Sequence, residues 1–581
     1  MAHRVRLVGV FIFVFILSAA PHGAGAWAQS VIAKAELDSI LARFGQSRPT
    51  AFRDFADQVA AAMPHAGLKR AVARYRAGAQ LDGGDRLNLY RLLGLHTRIK
   101  DRDEMVATLA RLVAIPTAKL EGQPQFENPN IHRLGREIAH IAKSYGLGFR
   151  NFDNRIFEVT LKGSGAGSIG IFTHGDVVPV DPGKWVLKDG TKLDPFKLTV
   201  IGDRMYGRGA SDNKGSITAA LHVLGAIARE GLPIARTIRF AIETTEETGG
   251  SATEYYKSKT KLAPYNLVLD GRYPVGVAEK GFGVVMAKFP LRKGAGDGPE
   301  ILEATGGVVL NQIPAEARAT IATSDPASLK RILDPAAKRY IAANGGNFHM
   351  ETEGASARLI LTVKGEGTHS ARPSRGVNPT SRLYDFLHQV RAAARFKTNH
   401  FTDAAAYVAD NWGLDYLGGK LGIGYSDPFM GALTTPVTYV KVKEGALHLA
   451  VNPRAPRGKD RDVLISEIRR ALDAWTQHTG TRVDIDIKIK RFMYRDPKGP
   501  WIQVLLSTFR DVTGIDAKPR SSNGYTSARQ LPNGVQFGPG MPGRRGTAHK
   551  PNEFKSREHM LTDVQIVTEM VLRLGNLERM E

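Results

Sequence analysis

The chain has 581 residues, 42% of them hydrophobic, a formal charge of +23 and no cysteine. That length exceeds what one hydrophobic core usually organises, and the ordinary apolar content argues against a disordered chain. The lack of thiols excludes disulfides and thiolate zinc sites, so any metal must be held by nitrogen and oxygen.

Arg4 and Arg6 precede an apolar run from Leu7 to Ala20, and Ala26-Trp27-Ala28 offers small residues at the two positions a signal peptidase reads. This pattern predicts a signal peptide over residues 1–28 and a periplasmic or secreted protein. The run is shorter than the ~20 residues a membrane span needs, and no later stretch is long and apolar enough. No stable membrane insertion is therefore expected after leader removal. Loss of the leader's two arginines lowers the formal charge to +21. No zinc-finger, RNA-recognition or helix-turn-helix signature accompanies that charge, so nucleic acid is not an expected partner. A solvated basic surface is its plainest reading.

Residues 29–100 repeat Ala, Leu and Arg at three- and four-residue spacing, as in Leu89-Tyr90-Arg91-Leu92-Leu93, which predicts a helical N-terminal extension packed on the rest. From Met105 onward, helix-like segments alternate with short apolar runs that end in Gly, Asp or His: Ile169–Thr173, Thr237–Ile242 and Asn266–Asp270. Buried strands separated by helices predict an α/β fold with a mostly parallel central sheet, whose ligands gather beyond the carboxyl ends of the strands. After Gly283 amphipathic strands and a long helix over Pro326–Ala343 interrupt this pattern. The apolar run Val504-Leu505-Leu506 and a Gly-rich segment from Gly524 to Gly546 then resume it. The expected organisation is a catalytic domain in two parts, 101–284 and 491–581, with an inserted α+β lid over 285–490.

Thr173-His174-Gly175-Asp176 ends one strand, so the imidazole and the carboxylate can point to the same side of an extended backbone. Alone, this H-x-D pattern is more often a structural histidine. Tyr206 to Gly215 places Asp212 in a glycine-rich turn before a helix expected from Ser216, where an aspartate could equally be an N-cap. Glu246-Glu247 follows the next strand. Adjacent carboxylates repel unless cations neutralise them, and one ligand beside one general base is an efficient use of the pair. Asp270 ends a further strand, and His549 lies in Gly546-Thr547-Ala548-His549-Lys550-Pro551-Asn552-Glu553. Together, His174, Asp212, Glu247, Asp270 and His549 form an N/O donor set suited to two zinc ions roughly 3.5 to 4 Å apart, with a water made nucleophilic between them.

These blocks, in this order from about Met105 to the C-terminus, resemble the dinuclear zinc hydrolases that include aminoacylases, glutamate carboxypeptidases, carnosinases and bacterial dipeptidases. The resemblance implies a zinc-peptidase catalytic domain in which His174 and Asp270 bind one ion, Glu247 and His549 the other, and Asp212 bridges them. Cobalt or manganese could replace zinc. By the same resemblance Asp176 orients His174, and Glu246 is the base. In the lid, Gly306 to Pro314 resembles the family's segment carrying Asn311. Gly367-Thr368-His369-Ser370-Ala371 resembles the segment whose histidine, His369, steadies the oxyanion. Arg454 stands where the family keeps an arginine for the substrate's C-terminal carboxylate, a task suited to a guanidinium fork. Asp181-Pro182-Gly183-Lys184-Trp185, Asp194-Pro195-Phe196 and Glu279-Lys280-Gly281 look most like the dipeptidase branch. Tyr525 and Ser527 depart from the family's usual loop. The implied partner is a small peptide, the implied assembly a monomer or homodimer. An N-acyl-amino-acid deacylase with the same site, or an inactive envelope-binding protein, are the rival readings.

Overall fold

The computed structural model describes residues 30–524, 526–544 and 546–581. The leader and Tyr525 lie outside the described residues. Among those described, no helix is long and apolar enough to cross a membrane.

Four helices open the described chain: Lys34–Phe44, Phe52–Ala62, Ala66–Arg76 and Gly83–Lys100. The last begins where Asp82 accepts a hydrogen bond from the Asp85 amide, satisfying a donor that has no partner within the helix. It is buried on nearly every side because it packs along the C-terminal helix Arg557–Gly575. The two helices are tightly apposed at Gly94, where a β-carbon would stand 3.3 Å from the Gln565 Cα. Arg91 donates to Asp511 at 2.7 Å, and Arg98 donates to Gln565 at 2.6 Å. The N-terminal helices thus share a continuous apolar core with the segments 105–277 and 501–580.

A nine-stranded sheet runs through that core. At its centre Thr237–Glu243, Ser168–His174, Tyr265–Val268 and Val535–Gln536 lie side by side and parallel, with antiparallel strands toward both margins. The run of buried residues along Ser168–His174 reflects cover on both faces, as a parallel sheet requires. Pairing in register places His174 opposite Glu243 and Phe172 opposite Val268, so the strands end together. Residues just past those ends (Asp176, Glu246, Glu247 and Asp270) are therefore delivered to one rim of the sheet. The run Val504–Leu506 lies within the helix Pro500–Thr513 that covers this sheet.

The inserted half has its own core, drawn from Val285 to Ile489. It contains a five-stranded sheet around Gly281–Pro290 and a four-stranded antiparallel sheet of Glu300–Thr305, Glu316–Ala322, Arg358–Lys364 and His349–Ala355. The helix Pro326–Ala343 has the bounds read from the sequence. Two neighbouring strands carry the chain between the halves. At the crossing a β-carbon on Gly281 would meet the Lys490 carbonyl oxygen at 2.3 Å, which explains the glycine in Glu279-Lys280-Gly281.

Candidate metal centre and substrate cleft

The rim residues converge. His174 is buried at its strand end, and its Nε2 lies 3.0 Å from Asp212 Oδ1 and 3.8 Å from Asp270 Oδ1. The other oxygen of Asp212, Oδ2, lies 3.2 Å from His549 Nε2, which is also 3.0 Å from Glu247 Oε1. Asp212 thus presents one carboxylate oxygen to each histidine. Donor atoms of His174, Asp212 and Glu247 lie within 4.8 Å of one another, and so do those of His174, Glu246 and Asp270.

Local structure explains each placement. The helix after Asp212 begins at Lys214, two residues earlier than expected. The Asn213 side chain donates to the Leu269 carbonyl at 2.7 Å, tying the Asp212 turn to the segment that bears Asp270. The amides of Ser211 and Asp212 both donate to one oxygen of the buried Glu553, at 2.9 and 3.0 Å, while Arg208 donates to the other. Glu553 therefore fixes the turn as an anchor, a role its sequence segment did not reveal. His549 sits in the left-handed region at φ 63°, in a loop closed by Thr547 and Phe554.

Asp176 does more than the sequence suggested. His174 Nδ1 lies 3.0 Å from the Asp176 main-chain oxygen and 3.5 Å from its carboxylate. The carboxylate oxygens accept the amides of Glu246 and Glu247, at 3.2 and 3.1 Å. One acid thereby positions the histidine and the whole Glu246-Glu247 turn. Glu243, buried beneath that turn, accepts from the Thr253 hydroxyl at 2.8 Å and is pushed up to about 7 by burial.

The field at this rim calls for cations. Asp176, Asp212, Glu246, Glu247 and Asp270 face two histidines, with no lysine or arginine ion-paired to any of them among the described residues. Hydrogen bonds to Asp212 and Glu247 raise His549 to about 10. Burial, reinforced by the charges of Asp270 and its neighbours, raises Glu246 to about 9. Asp212 is held low by the two histidines against the effect of its burial. These shifts are those of an acid-rich site without cations, and divalent ions held there would compete with protons for the histidines and Glu246. The donor set, the shared Asp212 and, among the described residues, the lack of any lysine or arginine ion-paired to these acids fit two metal ions.

A second group lies on the inserted half. The Gln312–Ile313 and Thr368–His369 strands pair, and the Ser370 amide donates to the Asn311 carbonyl at 2.9 Å. The Ser370 hydroxyl donates to Asn452 Oδ1 at 2.7 Å and accepts from Arg454 at 3.3 Å. Asn311, His369 and Arg454 are thereby gathered around one buried serine. Asn523 joins this patch to the central sheet: its side chain donates to the Ala371 carbonyl at 2.8 Å, and its own carbonyl accepts from Arg454 at 3.1 Å. No hydrogen bond or ion pair among the described residues links Asn311, His369 or Arg454 directly to the metal-centre residues. Ser370, Asn452 and Asn523 were missed as functional supports, because their roles depend on contacts between distant segments. A cavity of about 810 Å³ opens beside Asp212 and Asp270, with Arg204, Arg272 and Arg544 in its wall. A cavity of about 930 Å³ lies wholly in the inserted half, against Gly306 to Val309, and no candidate catalytic or metal residue lines it.

A shared aspartate between two histidines and a neighbouring glutamate pair form a donor set that suits a hydrolase able to hold two metal ions. The chain belongs to peptidase family M20/M25/M40, whose model matches residues 170–573, and it is a metallopeptidase of that family. Beta-Ala-Xaa dipeptidase of Lactobacillus delbrueckii subsp. lactis is 27% identical over 492 residues, covering 82% of this chain and 97% of that protein. Putative dipeptidase YtjP of Bacillus subtilis is 28% identical over 465 residues, covering 78% of this chain and 92% of its own. The crystal structure of human carnosine dipeptidase 1 shares the fold, with a TM-score of 0.50 at 15% identity, over 84% of this chain and 99% of that one.

Proposed function

We propose that this protein is an exported zinc dipeptidase that hydrolyses small unblocked dipeptides. The observation that carries the reading is Asp212 shared between His174 and His549, with Glu246 beside His174 and Asp270. Relatives named as dipeptidases that align over most of both chains support the substrate class. Export rests on the leader motif alone.

In this reading His174 and Asp270 would hold one ion, Glu247 and His549 the other, and Asp212 would serve both. Metal ions held there would supply Lewis acidity and would make a water acidic enough to lose a proton near neutral pH. Glu246 takes that proton and later delivers it to the leaving amine. His369 donates to the carbonyl oxygen as it gains charge; removal of such a donor costs about 100- to 1000-fold in rate. Arg454 holds the C-terminal carboxylate, and Asn311 positions the C-terminal half.

The test is turnover of a dipeptide and N-acetyl-amino-acid panel after chelation and add-back of zinc, cobalt or manganese. Restored cleavage of dipeptides, best with zinc, is expected. Cleavage of acetyl-amino acids alone would replace this reading with a deacylase, and an inert protein carrying two ions would mark a binding function.

A further inference from the structure

Buried cations elsewhere in this protein have acids at hand. Arg91 meets Asp511 and Glu569, Arg98 meets Glu558, Arg208 meets Glu553 and Lys555 meets Asp563. Buried Lys214 lies in the field of Glu553 and Asp176. Arg454 and Lys280, 3% and 4% exposed, are the exceptions. Among the described residues, the Arg454 guanidinium donates only to neutral acceptors, namely Asn452, the Asn523 carbonyl and Ser370. The Lys280 ammonium donates to the Ala432 carbonyl. Such bonds satisfy the N–H groups but leave the charge uncompensated, and a buried charge without a counterion is strongly unfavourable.

Both exceptions abut the short strand Pro519–Ser522 and Asn523, where the two halves of the molecule meet. The Lys280 amide donates to the Ser522 carbonyl at 3.0 Å. On the same strand the Arg520 side chain donates to the Tyr273 carbonyl at 3.2 Å, next to Arg272, which lines the cavity beside Asp212 and Asp270. Across the seam, Ala371 accepts from Asn523, and exposed Arg372 follows it. Among the described residues none of Arg272, Arg372, Arg520, Arg454 and Lys280 is ion-paired. Burial, then the charges of Arg272 and Arg372, hold Arg520 below the usual arginine range. Burial, then the Arg529 charge, brings Arg454 down to about 10, and burial, then Arg454, brings Lys280 to about 8. The protein's overall positive charge does not explain this cluster, because the other buried cations have acids near them.

We propose that the seam is a site for two carboxylates, so that the substrate is a dipeptide whose C-terminal residue is aspartate or glutamate. Its main-chain carboxylate lies on Arg454, backed by Lys280, and its side-chain carboxylate lies among Arg372, Arg520 and Arg272. The proposal rests on the dipeptidase reading for the bond that is cleaved, but the anion site itself does not require it. Guanidinium groups free of other acids suit a planar carboxylate in two-pronged contact.

Two measurements on the full-length metal-loaded protein separate the cases. The first compares kcat/KM for Ala-Glu and its neutral isostere Ala-Gln; a ratio of tenfold or more that shrinks with added salt is expected. The second measures binding of the products glutamate and glutamine by calorimetry, with glutamate expected at least tenfold tighter. Arg520→Gln, and the exposed Arg372→Gln where the first fails to fold, should each move both ratios toward one. Cleavage of Ala-Gln as efficient as that of Ala-Glu overturns the proposal and leaves the dipeptidase reading standing. If no dipeptide is cleaved while glutamate still outbinds glutamine, the dipeptidase reading fails and the anion site stands. Glutamate that binds no tighter than glutamine, including no detectable binding of either, overturns the anion site.

Discussion

Replacement of Glu553 tests whether the Asp212 turn is held from behind. Its side chain is fully buried and accepts from Arg208, itself 4% exposed, and from the amides of Ser211 and Asp212. Glu553→Ala leaves Arg208 as a buried charge without its partner, at a cost of about 3–5 kcal/mol. The two freed amides belong to half-buried residues that water can reach, so the ion pair sets the scale. That loss is comparable with a third or more of a typical folding stability of about 5–15 kcal/mol. The second consequence is local: with its backbone anchor gone, Asp212 no longer holds one oxygen toward each histidine, and metal affinity should fall about 10- to 100-fold. Urea unfolding of the metal-free protein reads the first effect, and titration of zinc against a competing chelator reads the second. Glu553→Gln keeps a neutral acceptor for the amides and should retain more metal affinity than the alanine variant while still losing stability. A Glu553→Ala protein that unfolds at the wild-type urea concentration and binds two ions as tightly as before would refute the anchoring argument.

Glu246→Gln should lower kcat by about 100- to 10,000-fold with two ions still bound, measured by turnover and metal analysis; retained turnover would remove Glu246 as the base. Asp212→Asn should weaken both metal sites together, and loss of one ion at unchanged affinity for the other would show that Asp212 does not bridge. Stability should also fall on mild acidification because of His96, whose buried ring lies against Phe52 and Phe55 with neither nitrogen hydrogen-bonded. Burial lowers this histidine to about 4; the charges of Lys100 and Arg229 add to the lowering, and those of Glu230 and Asp101 oppose it. Between pH 6.5 and 4 the unfolded chain therefore takes up a proton that the folded chain refuses, so stability declines as pH falls through that window, by about 2 kcal/mol at pH 5. Urea unfolding of His96→Leu should show a flatter dependence between pH 7 and 5, and an unchanged slope would assign the acid sensitivity to other groups.

The convergence of the candidate metal-centre residues was legible because the sheet makes position along a strand equivalent to position in space. His174 and Glu243 pair in register, so residues shortly after two apolar runs must share a rim. Asp270 follows a third parallel strand to the same rim, and its run of buried residues announced it. Nothing comparable marks Glu553. It closes a turn 341 residues earlier in the chain, and neither periodicity nor spacing encodes a contact of that kind. The helical character of residues 29–100 was equally plain from their repeat, but their integration was not. Arg91 and Arg98 are ordinary helix residues until Asp511, Glu569 and Glu558 are placed against them.

The same distinction governs the substrate cleft. Arg454 could be singled out by resemblance, yet a sequence cannot say whether an arginine is paired, and in so basic a chain one more arginine carries no message. Only placement of Lys280, Arg372, Arg520 and Arg272 around Asn523 shows that, among the described residues, no acid is ion-paired to them while Arg208, Arg91 and Arg98 have theirs. The informative feature is a counterion that the fold withholds. A charge left without a partner at nine-tenths burial is costly to maintain, and a ligand that completes it recovers that cost on binding. On this argument the choice of substrate resides in the seam between the halves, and the metal centre, which meets only the scissile bond, contributes little to it.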